Sequence, residues 1–215
     1  MEQKTKADIW DDFQIYWLDT IRNKHKFLDR FNYIDIAIND KVLDIGAGTG
    51  NNITASANKN YYALELREKI AKRIKTDYPN VTAVIGDCEK KLTFPDRFFD
   101  KVIASNILEH LHNLDSTLLE VSRTLKTDGT FFVIIPIINS ITYNIGMRLI
   151  TKRAFEKKYK TSYLPFIRSQ HINSPNKIIR DLKKYFIVTK KEYFPFNIPF
   201  NCVNIFIKLH LKVKI

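Results

Sequence analysis

An open, doubly wound α/β sheet, mostly parallel and with helices on both faces, is the fold this sequence predicts, and two observations predict it. Five short apolar runs, KVLDIG (41–46), YYALEL (61–66), VTAVIGD (81–87), FDKVIASN (99–106) and TFFVIIP (130–136), are separated by segments that suit helices. The first run passes directly into a glycine-rich turn at Gly46, Gly48 and Gly50. Strands alternating with helices build βαβ units and therefore a parallel sheet. Right-handed crossovers then place the helices on both faces.

Taken in order, Ala7 to Phe31 reads as a helix, a lid or packing element with Ile9, Phe13, Tyr16, Trp17, Ile21, Phe27 and Phe31 at helical intervals. Between the strands, Asn51 to Ala57, Glu68 to Asp77 and Asp115 to Leu125 suit helices. After Pro136 the rhythm changes. Ile141 to Lys158 reads as a basic helix or an irregular cap, and Ser174-Pro175 opens a further helix, with serine as N-cap and proline in the first turn. Phe186 to Tyr193 and Val203 to Val213 are candidate strands for an antiparallel edge. The intervening FPFNIPFN loop (194–201) is expected to be ordered by its aromatics. No repeat or linker interrupts the chain. It reads as one domain: an N-terminal helical cap (1–38), a ligand-binding core (39–136) and a basic cap with the last strands (137–215).

Composition narrows the setting. At 215 residues, 45% hydrophobic and 27% charged, the chain fits one globular core. Its charged N-terminus lacks the apolar stretch of a signal peptide. The longest apolar run, Phe131 to Ile138, is far shorter than the roughly 20 residues of a spanning helix. Cys88 and Cys202 have neither metal-ligand spacing nor the density of a disulfide scaffold, which points to a reduced, cytoplasmic setting. No Asp/His cluster stands out in the sequence, so no metal is expected. Charge is segregated. Met1 to Gly146 carries 19 Lys+Arg against 20 Asp+Glu, whereas Met147 to Ile215 carries 16 against 3. That skew fits either an anionic partner (a phosphorylated substrate, nucleic acid or an acidic membrane surface) or a solvated, lysine-rich face.

The sharpest feature is VLDIGAGTG (42–50). Glycine is required where the backbone turns tightly and approaches a ligand with no Cβ in the way. The G-x-G-x-G spacing differs from the dinucleotide fingerprint, and no Gly-Lys-Ser/Thr follows to make a P-loop. Two carboxylates join it. Glu65 ends the second strand, where an acid can accept hydrogen bonds from ribose hydroxyls, and Asp87 ends the third, placed for an exocyclic adenine amine. Taken singly, Glu65 could be a solvated carboxylate and Asp87 a helix cap. Together they lie at the C-terminal edge of consecutive strands, where open α/β sheets bind ligands.

VLDIGAGTG, then ALEL, then IGDCEKKLTFPDRFFDKVIASNILEHLHN, then EVSRTLKTDGTFFVIIP, in that order and spacing, resemble the class I S-adenosylmethionine-dependent methyltransferases, nearest their broad small-molecule group. The resemblance covers Lys41 to Pro136 and departs at LKTDG (125–129), where the family usually has Leu-Lys-Pro-Gly-Gly; the C-terminal third matches only in outline. It implies a Rossmann-like, seven-stranded sheet whose last strand is antiparallel, and S-adenosylmethionine as cofactor. By position it implies that Asp44 orders the glycine loop and approaches the methionine amino group. Gly46, Ala47, Gly48 and Gly50 would form the loop around methionine and ribose. Glu65 would hold the ribose and Leu66 pack on adenine. Asp87 and the Cys88 backbone would read the adenine edge, and Asn106 would lie near the methionine.

Transfer to a hydroxyl needs the acceptor's proton removed, work suited to a neutral histidine. His110, in NILEHLHN, and His171, in RSQHINSP, are the candidates; each could instead be a hydrogen-bonded structural histidine. Glu109 reads as structural, and His25, His112 and His210 offer no case. After the fourth strand stand Ser105-Asn106-Ile107-Leu108, without the Asn/Asp-Pro-Pro-Tyr/Phe of amine methyltransferases or a Pro-Cys pair for a cysteine adduct. An oxygen on a small molecule, such as a sugar or a lipid-linked intermediate, is therefore the expected acceptor, and the basic tail would suit an anionic group on it. Three alternatives remain open. One is an RNA methyltransferase stacking bases on Tyr159, Tyr163, Phe166, Tyr185 and Phe186. Another is a non-catalytic S-adenosylmethionine-binding domain, and the third, disfavoured by the loop spacing, is a dinucleotide-dependent oxidoreductase.

Overall fold

The computed structural model describes residues 5–16, 34–54, 57–147 and 151–214. Seven strands, β1 (Val42–Ile45), β2 (Tyr61–Glu65), β3 (Thr82–Ile85), β4 (Phe99–Ser105), β5 (Leu125–Pro136), β6 (Phe186–Phe194) and β7 (Phe206–Val213), form one sheet in the order β3-β2-β1-β4-β5-β7-β6. β1 pairs in parallel with β2 on one side and β4 on the other, and β4 in parallel with β5. β7 runs antiparallel to both β5 and β6. This is the seven-stranded sheet with an antiparallel last strand that the resemblance implies. The strand order reverses between β1 and β4, which opens a crevice at their C-terminal ends.

The central strands are buried on both faces, which is why they read as unbroken apolar runs rather than alternations. The helix Glu68–Asp77 lies where expected, burying Ile70, Ala71 and Ile74 and pairing Lys72 with Glu68 and Arg73 with Asp77 on its wet face. The helix Leu114–Thr124 is capped by Asn113, whose side chain accepts from the Ser116 amide at 3.2 Å. The helix Pro175–Tyr185 opens on Ser174, whose hydroxyl accepts from the Lys177 amide at 3.3 Å, as the sequence anticipates.

Several expectations change. The N-terminal helix spans Lys6–Tyr16, and the rest of the stretch read as helical, to Phe31, lies outside the described residues. Asn51 to Ala57 is not helical over its described residues. Asn52 turns inward to Asp44, the chain makes a tight turn at Gly50–Ile53, and the Ala57 amide donates to the Thr54 carbonyl at 3.0 Å. Ile141 to Lys158 is helical over Ile141–Met147 and again over Arg153–Tyr159, and residues 148–150 between them lie outside the described residues. A helix the sequence reading missed, Tyr163–Gln170, follows, its Pro165 tolerated in the first turn. In the FPFNIPFN loop Phe196 and Phe200 are exposed and do not provide the order expected of them, whereas Phe194 is half-buried. The loop backbone is gathered by the buried Asn204, whose amide donates to the Ile198 and Phe200 carbonyls, both at 2.8 Å.

The N-terminal helix packs Phe13 against Phe155, Tyr163, Phe166 and Ile167, so it meets the helices that follow β5. Among the described residues no helix is long and apolar enough to cross a membrane.

Candidate active site

A cavity of about 560 Å³ opens at the C-terminal ends of β1, β2 and β4 and runs beneath the N-terminal helix. It lies within the size range of small-ligand pockets. One end is the glycine loop. Gly46, Gly48 and Gly50 all have positive φ. A Cβ on Gly46 would lie 2.5 Å from Ile107, whereas at Gly48 it would point into open space, so the first glycine serves packing and the second leaves room for a ligand.

Glu65, at the end of β2, is only 2% exposed, and its oxygens are already engaged. One accepts from the Gly48 amide at 3.0 Å, the other from the Arg67 amide at 3.0 Å and Arg67 Nε at 2.9 Å. Arg67 continues to Asp11 of the N-terminal helix at 2.9 Å. Glu65 thus ties the glycine loop to the helix above it, a role for Arg67 and Asp11 that the sequence reading missed. Leu66, 63% exposed, presents an apolar edge to the cavity. Asp87 lines the same end while one oxygen caps the following turn, accepting from the Glu89 amide at 2.9 Å. Cys88 is buried, its thiol pushed up to about 12 by burial, so it contributes backbone rather than a nucleophile. Ala47 and Asn106, the latter held at positive φ by its amide's bond to the Ile134 carbonyl, complete this end.

Two expected residues sit further back. Gly50 packs against Tyr78 and Ile53 and does not line the cavity. Asp44 is fully buried behind Asn52, which donates to both its oxygens at 3.2 Å, while the Tyr61 hydroxyl donates at 2.8 Å. Burial outweighs these bonds and raises the Asp44 carboxyl to about 7. Asp44 holds the Asn52 side chain, just beyond the glycine loop, and stands behind it rather than on the cavity wall. Asn52 lines the cavity, and its buried Oδ1 has no partner among the described residues. That orphaned acceptor, the space at Gly48 and the carboxylates at two strand ends fit S-adenosylmethionine: an acceptor for the methionine ammonium, room for the ribose and an edge for the adenine.

The other end of the cavity is built by segments far apart in sequence. A short 3₁₀ turn, Leu108–His110, follows β4 and brings Glu109 and His110 to the wall; His171 arrives from the end of the helix Tyr163–Gln170. The two imidazole rings meet edge to face at 4.7 Å, and Trp10 of the N-terminal helix lies 5.1 Å from His110. His110 Nδ1 lies 2.7 Å from the Gln170 carbonyl. A carbonyl can only accept, so Nδ1 carries the proton and Nε2 is left bare. Burial holds the His110 imidazolium down at about 4 and His171 down at about 3, so both rings are neutral at pH 7. Glu109 is 2% exposed and raised to about 8 by burial. Asn173 fastens this corner, its amide donating to the Leu108 and Leu111 carbonyls at 3.0 and 2.6 Å.

Of the residues read as base-stacking, Tyr163, Phe166 and Phe186 are buried in the cores, and Tyr185 donates to Asp115. No lysine lines the cavity among the described residues, and its one arginine, Arg67, is paired. Basic residues of the last third pair elsewhere, Lys177 and Lys184 with Asp181 and Lys190 with Glu192. His112 lies at the rim of the cavity, His210 pairs with Glu192 at 2.8 Å, and His25 lies outside the described residues.

A family model for a methyltransferase domain matches residues 43–133. YrhH of Bacillus subtilis (strain 168) is 26% identical over 182 residues, which cover 81% of this chain and 90% of YrhH. A demethylmenaquinone methyltransferase of Corynebacterium efficiens is 28% identical over 127 residues, 56% of this chain and 55% of the relative. Among solved structures, the PH0226 protein of Pyrococcus horikoshii OT3 superposes with a TM-score of 0.64 at 19% identity, over 91% of this chain and 92% of that one. This last likeness is one of fold.

Proposed function

We propose that this chain, whose residues 43–133 match a methyltransferase domain, is a class I S-adenosylmethionine-dependent methyltransferase that methylates an oxygen of a small acceptor, such as a sugar or a lipid-linked intermediate. The observation that carries this reading is the continuity of one small cavity from the glycine loop to two neutral imidazoles. When bound, S-adenosylmethionine supplies an electrophilic methyl on a sulfonium. At the cofactor end, Glu65, with the Gly48 amide beside it, is the acceptor for the ribose. Asn52 Oδ1 receives the methionine ammonium, and Asp87 and the Cys88 backbone read the adenine edge. Trp10, Phe13, Tyr143 and Tyr163 wall the acceptor end with aromatic surface, exclude water and narrow the poses an acceptor can take. Holding two reactants in line supplies on the order of 7–11 kcal/mol of catalysis.

His110 Nε2 and the His171 ring are the groups that receive and activate the acceptor's hydroxyl. Their neutrality suits that role, whereas their low basicity limits them as unaided bases, because proton transfer is most efficient when the base titrates near the working pH. The paired arginine and the absence of lysine from the described lining favour a neutral acceptor over the anionic one suggested by net charge. With most of its proposed aromatic platform buried, the RNA reading loses support.

Incubating the purified protein with methyl-labelled donor and cell extract tests the reading. We expect a labelled small molecule whose label sits on oxygen. Glu65→Ala should weaken S-adenosylhomocysteine binding by about 1.5–3 kcal/mol, the usual cost of a charge-assisted hydrogen bond. His110→Ala and His171→Ala should keep that affinity and lose transfer. Cofactor binding with no transfer to any extract component would leave a non-catalytic binding domain, and normal transfer in both histidine variants would reject the histidines' role.

A further inference from the structure

The sequence shows no metal-ligand spacing, yet the fold brings Glu109, His110 and His171 together with one donor atom from each within 4.8 Å of the others. We propose that these three side chains bind a single divalent first-row transition-metal ion at the acceptor end of the cavity. Two imidazoles and one carboxylate are a common donor set for Zn²⁺ and Fe²⁺, and three protein ligands leave positions open for a substrate oxygen.

Three independent features support the site. Glu109 is 2% exposed, and its Oε2 has no hydrogen-bond partner among the described residues, an arrangement that is unfavourable unless something else meets that oxygen. His110 is already oriented as a ligand. Its Nδ1–H is spent on the Gln170 carbonyl at 2.7 Å, which bares Nε2 only 3.7 Å from Glu109 Oε1. A backbone carbonyl behind the far nitrogen is the usual outer-shell partner of a metal-binding histidine. Third, the two contributing segments are pinned to one another. The Asn173 amide nitrogen donates to the Glu109 carbonyl at 3.0 Å, and its side chain bonds Leu108 and Leu111.

Donors bound to one ion at about 2.1 Å lie roughly 3.0–3.4 Å apart, so the cluster must tighten by about 1–2 Å at its widest, within reach of side-chain rotation. Arg67 does not oppose a cation here with an unanswered charge, because Glu65 and Asp11 pair with it. With the ion bound, the two histidines would act on the acceptor's hydroxyl through the metal, which polarises it, rather than by direct contact. Only that role rests on the oxygen-methylation reading; the metal site does not.

Tag-free, chelator-stripped protein titrated with Co²⁺ tests the site, with visible absorption reporting coordination and Zn²⁺ as competitor. One ion per chain is expected, with the absorption of nitrogen and oxygen ligation. Glu109→Gln and His171→Asn should each weaken uptake by more than the roughly 10–100-fold that loss of an outer-shell partner costs. S-adenosylhomocysteine binding should survive in both, which shows that they fold. A folded, cofactor-binding chain that takes up no stoichiometric Co²⁺, Zn²⁺, Mn²⁺ or anaerobic Fe²⁺ overturns the proposal. So does uptake of equal affinity in both variants. Labelled transfer by a chain that takes up no metal would sink the metal site and leave oxygen methylation standing; metal uptake without transfer would do the reverse.

Discussion

Asp44 shows how one residue's surroundings set its behaviour. Its carboxyl is raised to about 7 because burial outweighs the hydrogen bonds from Tyr61 and Asn52. The folded, ligand-free protein therefore keeps a proton that the unfolded chain releases near pH 4. Between about pH 4 and pH 7 this residue lowers stability progressively as pH rises. On the proposed reading, cofactor binding would have the opposite slope, because an ionised Asp44 would strengthen the Asn52 dipole proposed to meet the methionine ammonium. S-adenosylhomocysteine affinity is expected to increase as pH rises from about 6 to about 8, by at most about tenfold per unit below pH 7. Asp44→Asn should bind more weakly and lose that dependence, which calorimetry across the range reads directly. A variant with the wild-type pH profile would assign the titration to another group.

At the scale of elements, the two ends of the cavity are supported differently. The cofactor end rests on strand ends that are neighbours in the sheet, held in register by β1–β2 and β1–β4 pairing. The acceptor end rests on a 3₁₀ turn and the segment joining two helices, fastened by Asn173. Asn173→Ala removes both side-chain hydrogen bonds at a buried position, leaving the Leu108 and Leu111 carbonyls without that donor. The expected cost is about 1–3 kcal/mol in urea unfolding, with S-adenosylhomocysteine affinity little changed. Loss of cofactor affinity instead would show that the two ends are not separable. Asn173 could not have been singled out in the sequence, since an asparagine between Ile172 and Ser174 reads as ordinary loop.

Across the whole molecule, the core continues from the family-like central strands into the part that matches only in outline. Ile207, Leu209 and Leu211 on β7 are fully buried, in one cluster with Leu43, Val102 and Val133. Leu209→Ala should therefore destabilise the protein by about 2–5 kcal/mol, as a large-to-small change in a packed core does. Near-wild-type unfolding in that variant would mean that the last strands are an appendage. The chain keeps a net charge of +12, yet some of the segregated charge is paired across the fold: Lys184 reaches Asp115 at 3.0 Å and Lys158 reaches Asp12 at 3.1 Å, so acids of the near-neutral first two thirds answer some bases of the last.

By itself, the sequence determined the parallel sheet, the glycine loop and the carboxylates at two strand ends. Each of those features is written into a few consecutive residues: an apolar run, a turn that needs positive φ, an acid where the strand stops. Only the tertiary structure decided that Asp44 stands behind Asn52, that Arg67 and Asp11 clasp Glu65, and that Glu109 and His110 meet His171. Two of those relations, Asp11 with Arg67 and Glu109 and His110 with His171, join positions tens of residues apart, and all of them depend on how the folded chain sets its loops against the strand ends. Local pattern carries periodicity and turn chemistry; it does not carry the distance between two loops that only the folded chain brings together.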